Sequence, residues 1–268
     1  MRELERAYIP TPAPQEQIHA RFAGDAGPFV FFLHPWPLGS LQFQRVILPL
    51  GERYRAYGLD APGYGMSPST LTLQPFEDYA RRVLDAIDAL QAKTFTLVGA
   101  EIGVAMAAEI ARRAGKRVER ILALAVPPTD SAGHAAYIAE LGEARPTQDG
   151  RHVEGVWQQI VRRLGPDADP AQMEQAFSDF MNVYNRYHWG IKGYAAYNLA
   201  GALRAIRCPT LFLSAGRDPF SVHAPAAAKL VPGVVHRVVE GVRPLLAWTD
   251  PPAFLSAFDD FMKVGPAA

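Results

Sequence analysis

The sequence predicts an α/β fold, a mostly parallel sheet flanked by helices, with a helical segment inserted late in the chain. Three observations carry this. Short apolar runs bounded by turn residues alternate with segments of helical period, the signature of strands joined by crossover helices. One run, Phe95–Val98, passes through Gly99-Ala100-Glu101-Ile102-Gly103 straight into an Ala-rich helix, the outline of a sharp strand-to-helix turn. The stretch 127–203 then breaks the rhythm, with helical segments separated by Pro146, Gly150, Gly165-Pro166 and Asp169-Pro170 and no strand-like run.

Taken in order, Phe29–Leu33 is a continuous apolar run, short enough for a strand buried on both faces. Arg55–Leu59 is a second strand, and Phe95–Val98 a third. Ile121–Val126, Leu211–Ser214 and Arg237–Val239 complete the series. Phe76–Leu90 spaces Tyr79, Val83, Ile87 and Leu90 at helical intervals. Val104–Arg113 is a helix of small residues that can pack closely on the sheet. Pro252–Met262 places Phe254, Leu255, Phe258 and Phe261 as an amphipathic helix. The expected division is a core of residues 1–126 and 204–268 with a helical cap, or lid, over 127–203. The cap is rich in aromatic residues, among them Tyr137, Trp157, Phe177, Phe180, Tyr184, Tyr187, Trp189, Tyr194 and Tyr197. These read either as the cap's own core or as the lining of an apolar pocket beneath it, and the two are compatible.

Of 268 residues, 49% are hydrophobic and 20% charged, enough to bury a full core. Lys+Arg and Asp+Glu are both 27, so no basic excess points to nucleic acid or to an anionic membrane. The single cysteine, Cys208, precludes an intramolecular disulfide and precedes a strand, where it reads as a packing residue. The charged N-terminal stretch lacks the apolar core of a signal peptide, and no apolar run approaches the roughly 20 residues that span a membrane. These features lead to the expectation of a soluble, cytoplasmic protein whose partner is a small molecule. No His, Cys or carboxylate group has metal-ligand spacing, and the Gly-rich turns match neither a P-loop nor a dinucleotide fingerprint, so no metal or cofactor is expected. Oligomeric state leaves no mark on the sequence.

Four landmarks, in order, resemble the α/β-hydrolase-fold superfamily, in particular its lidded epoxide hydrolases, haloalkane dehalogenases and small esterases. They are Leu33-His34-Pro35-Trp36-Pro37, then Gly58 to Ser67 (with Asp60-Ala61-Pro62-Gly63), then the Gly99–Gly103 elbow, then Ser214 to Phe220. The resemblance spans about Phe29 to Phe258. It implies an eight-stranded sheet and an oxyanion hole made by the backbone N–H groups of Trp36 and Ile102. It also makes Asp218 the matching acid and puts the nucleophile at position 101, where this chain has Glu101 and not serine. The fifth landmark is absent. Trp248 and Asp250-Pro251 fix the register of the closing turn, and that register places Pro244 where the family has its catalytic histidine.

A carboxylate nucleophile at position 101 would form an ester that needs a base to release it, and Pro244 supplies none. A single acid/base step at Glu101 needs no such base. Burial would raise its pKa, whereas the helix N-terminus would favour the anion. Two other roles stay open. The Glu101 carboxylate could fold back onto the Ile102 and Trp36 amides as a plug, with Arg243 pairing Asp218 or Glu101, in a silent ligand-binding protein. Alternatively, a lid histidine could supply the missing base, for which His188 is the candidate. His34, His223 and His236 read as structural or surface residues.

Overall fold

The computed structural model describes residues 4–12, 16–69, 72–141, 145–165 and 167–263. Eight strands form one sheet in the order β1-β2-β4-β3-β5-β6-β7-β8. These are β1 (Glu5–Pro10), β2 (Gln17–Ala23), β3 (Phe29–Leu33), β4 (Arg55–Leu59), β5 (Phe95–Ala100), β6 (Val118–Leu124), β7 (Thr210–Ala215) and β8 (Val235–Val239). From β4 to β8 all neighbours run parallel, while β1 and β2 add an antiparallel edge. The last six strands fall where the apolar runs place them, within a few residues.

The first two strands have no apolar run. Glu5–Pro10 is mostly exposed, and Gln17–Ala23 interleaves His19 and Arg21 with its apolar residues. They are held by the ladder and by His19, whose Nδ1 lies 2.7 Å from Asp60 Oδ2 behind β4.

The two faces of the sheet are filled separately, as a period of two requires. Phe29, Phe31 and Leu33 turn to the face covered by α2 (Phe76–Ala89) and α3 (Ile102–Ala114). Val30 and Phe32 turn to the other face, against α1 (Gln44–Leu50) and the C-terminal helix with its Phe254, Phe258 and Phe261. A continuous apolar run such as Phe29–Leu33 is therefore needed wherever helices cover both sides.

Between Leu124 and Thr210 the chain leaves the sheet, and the described residues there form five helices. They are α4 (Ser131–Leu141), α5 (Arg151–Leu164), α6 (Pro170–Val183), α7 (Tyr187–Ala195) and α8 (Leu199–Arg204). After β7 come α9 (Ala224–Ala228), α10 (Leu246–Thr249) and α11 (Pro251–Lys263). Helix α6 starts at a well-formed cap, Asp169 Oδ1 accepting from Ala171 N at 3.0 Å, with Pro170 at the first helical position. Helix α5 buries Val156, Ile160 and Leu164 at intervals of four, which leaves Arg163 beside that stripe, three residues on from Ile160.

The inserted helices are tied to the core by polar contacts. Tyr64 Oη donates to Tyr187 O at 2.7 Å, Asn182 Nδ2 to Gly65 O at 2.6 Å, and Gln172 Nε2 to Trp248 O at 3.1 Å. Tyr137, Phe180, Tyr187, Tyr194 and Tyr197 are buried, whereas Trp157 is exposed.

Candidate functional site

Glu101 stands at the junction of β5 and α3 with φ 51° and ψ −118°. A side chain at such a φ is strained, at a cost of order 1–3 kcal/mol that the surroundings must impose. They do so through two glycines. A Cβ on Gly103 would lie 2.0 Å from the Leu33 carbonyl oxygen, and one on Gly99 would lie 2.4 Å from the Gly103 carbonyl oxygen. Only with both bare can α3 cross this close to β3. Glu101 N donates to Leu124 O at 3.0 Å and Val104 N to Glu101 O at 2.8 Å, fixing the turn at both ends.

The Glu101 side chain is buried and meets an arginine from the inserted helices. Arg163 Nη2 donates to Glu101 Oε1, and Arg163 Nη1 donates to Asp218 Oδ1 at 3.0 Å. Asp218 Oδ1 also accepts from Phe220 N at 2.9 Å, and the guanidinium lies 4.8 Å over the Phe220 ring. One planar guanidinium thus bridges the elbow residue and the acid loop. Burial pushes the Glu101 carboxyl above the usual range, and the Asp218 charge adds to this, while Arg163 pulls the other way. Arg163 itself stays charged, because its two carboxylate partners outweigh its burial.

Next to this trio lies a cavity of about 170 Å³. Its walls are mainly apolar, with Leu38, Ile160, Leu164, Phe180, Phe220 and Leu245 among them, and Glu101 and Arg163 form part of the lining. Such a volume matches a single aromatic ring, for which a dry cavity of about 150 Å³ suffices.

The residues singled out in the sequence separate as follows. Glu101 and Asp218 come together through Arg163. Trp36 lines the cavity, its ring stacked on Tyr64 at 4.3 Å, and Ile102 opens α3. The Glu101 carboxylate takes no bond from the N-terminal amides of α3, so the folded-back plug is not formed among the described residues. Arg243 does not pair with either acid. Its Nη1 donates to the Asp167 carbonyl at 3.2 Å at the surface, and the ion pair considered for it is made by Arg163. The physical reason is reach: α5 brings Arg163 over the elbow, while the turn before Pro244 carries Arg243 outward.

Pro244 is buried outside the cavity lining; Leu245 (φ 61°) is the residue of that turn on the wall. Neither side chain carries an ionisable group. His188 lies against the rings of Tyr187 and Trp189 and is not among the residues lining the cavity. Both ring nitrogens of His34 are engaged, Nδ1 with Pro35 O at 3.0 Å and Nε2 accepting from Ala61 N at 2.9 Å, and burial lowers its pKa. Burial pushes the Cys208 thiol up to about 11, in keeping with a packing role.

Sequence reading missed Arg163. As one of two arginines ending a helix, Arg162-Arg163 reads as solvated. The one usable signal was its spacing, three residues after Ile160 and on the flank of the buried stripe.

No cluster of three or more His, Cys, Asp or Glu side chains placed to hold a metal occurs among the described residues, nor any helix long and apolar enough to cross a membrane. The alpha/beta hydrolase family model matches residues 30–257, and the chain belongs to that family. Among curated relatives, a serine hydrolase-like protein of Dictyostelium discoideum is 35% identical over 96 residues, covering 34% of this chain and 26% of the relative. A haloalkane dehalogenase of Mesorhizobium japonicum is 34% identical over 103 residues, 38% of this chain and 32% of the relative. The matches therefore span about a quarter to a third of those proteins.

Solved structures agree in fold over nearly the whole chain. A carboxylesterase of Bacillus subtilis superposes with TM-score 0.80 at 21% identity, over 98% of this chain and 93% of that one. A bromoperoxidase of Bacillus anthracis gives 0.81 at 16% identity, over 97% and 100%.

Proposed function

We propose that this protein binds a small, largely apolar molecule under a helical lid and acts on it by a single acid/base step at Glu101. The observation that carries this reading is the strained Glu101 elbow kept on the wall of a ring-sized cavity. A residue with no role there has little reason to hold φ at 51°. Relatives that hydrolyse their substrates raise the alternative of a covalent ester on Glu101, but the position that would release it is filled by Pro244 and Leu245. Burial raises the Glu101 carboxyl and so makes it a stronger base than an exposed glutamate. Arg163 would orient it and hold the acid loop. A second reading, ligand binding without turnover, draws support from that same clamp, since a carboxylate held by arginine is a weaker base.

Intact-mass spectrometry after incubation with p-nitrophenyl acetate or styrene oxide tests the single-step claim. We expect no adduct on Glu101 and no release of p-nitrophenol above the buffer rate. A stable adduct lost in Glu101→Gln would make Glu101 a nucleophile and overturn the reading.

A further inference from the structure

The charged groups at the cavity do not face it equally. The Arg163 side chain is 23% exposed, against 7% for Glu101 and 2% for Asp218. Of the three, Arg163 and Glu101 line the cavity and Asp218 does not, so a ligand there meets the guanidinium beside only one of its two acid partners. Arginine has five N–H donors; Glu101 and Asp218 each take one, leaving three more on a group already fixed in place. Two hydrogen bonds and the Phe220 ring hold the guanidinium still, so little further ordering is needed to use those donors. The ligand's polar end is then a hydrogen-bond acceptor.

Charge narrows the acceptor further. With Glu101 ionised, two carboxylates surround one guanidinium, and at the mouth Glu140 and Arg162 offset each other. A ligand carboxylate would bring a third negative charge into a buried place that already has an excess of one. An ammonium finds no acceptor on the Arg163 guanidinium and is repelled by it at close range. A neutral acceptor oxygen suffers neither penalty.

We infer that the pocket selects neutral carbonyl compounds of single-ring size, and that Arg163 is the residue that receives their oxygen. This rests on the proposed use of the cavity as a ligand site and adds the substrate class. Arg163 then does more than clamp two acids, since it polarises a carbonyl while Glu101 stands beside it to move a proton.

Binding of four single-ring probes tests it: acetophenone, benzoate, benzylamine and ethylbenzene, each measured by ligand-observed NMR titration. A hydrogen bond to a charged group predicts that acetophenone binds about tenfold tighter than ethylbenzene. It should also exceed both charged probes. In Arg163→Gln, acetophenone should fall to within about twofold of ethylbenzene, whose own affinity stays put, an outcome that a merely structural arginine would not give. Tightest binding of benzoate or benzylamine, or equal binding of acetophenone and ethylbenzene by the native protein, would overturn the inference while leaving a ligand site. No binding by any of the four would remove the site itself. The native ranking needs no variant, so it stands even if Arg163→Gln fails to fold.

Discussion

Glu101 combines a costly backbone with a costly burial, and one arginine offsets part of the second cost. Removing that arginine exposes the balance. In Arg163→Met, Glu101 and Asp218 lose the cation between them, and breaking such a pair leaves uncompensated buried charge worth about 3 kcal/mol after allowance for partial exposure. Urea denaturation at pH 7 should record that loss. It should shrink as pH falls, because burial already holds the Glu101 carboxyl above its unfolded pKa, losing Arg163 raises it further, and the group regains neutrality by taking up a proton. A second consequence concerns esterase chemistry. Glu101→Ser alone should hydrolyse p-nitrophenyl acetate no faster than buffer, since a serine without a base at 244 or 245 stays unactivated. Turnover by that variant would mean another group acts as base.

At the scale of elements, the contact of α6 with the loop after β3 is pH-sensitive. Asp179 Oδ2 accepts from Gly39 N at 3.3 Å, and its carboxyl is pushed up to about 6 by burial and by the charge of Asp60, against the pulls of the Gly39 N–H and Arg21. A raised carboxyl pKa penalises folding once the group must ionise. The penalty is absent below 3.8, grows as pH rises toward 6 and is complete above it. Asp179→Asn keeps an acceptor for Gly39 and removes the charge. It should stabilise the protein at pH 8 by about 1–2 kcal/mol and leave it unchanged at pH 3.5, read by thermal unfolding. A gain at both values would mean that the charge is not the cause.

The elbow makes a matching prediction. In Gly103→Ala the new methyl meets the Leu33 carbonyl at 2.0 Å, so either α3 or β3 must shift. A loss of about 3 kcal/mol or more follows, at the upper end of what overpacking costs.

Across the whole molecule, what was legible in the sequence follows what is local. Runs such as Phe29–Leu33, turns such as Gly99–Gly103 and the stripe of α11 encode themselves, because burial on both faces or on one demands those residues in that order. The edge hairpin of β1 and β2 carried no such signal, since its stability comes from the ladder and from His19 meeting Asp60, 41 residues away. The site divides the same way. Glu101 was picked out by its Gly99–Gly103 turn, and Asp218 and Pro244 by the family resemblance; the structure brings Glu101 and Asp218 together through Arg163. Arg163 was not legible, because its role depends on how α5 docks over β5, which no spacing within α5 states. Arg243 drew attention by standing beside Pro244, where the resemblance puts the histidine, yet proximity along the chain did not become proximity in space.

The most direct measurement of the central claim is deuterium exchange from D2O into phenylacetone, followed by loss of its methylene proton signal. On the proposed reading Glu101 takes a carbon-bound proton, leaving the electron pair as an enolate whose oxygen Arg163 receives, and the carbon then recovers a deuteron from solvent. The account predicts exchange faster than in buffer for the native protein and none above buffer for Glu101→Gln. Equal exchange in both proteins, or a phenylacetone that binds the native protein and does not exchange, would contradict it.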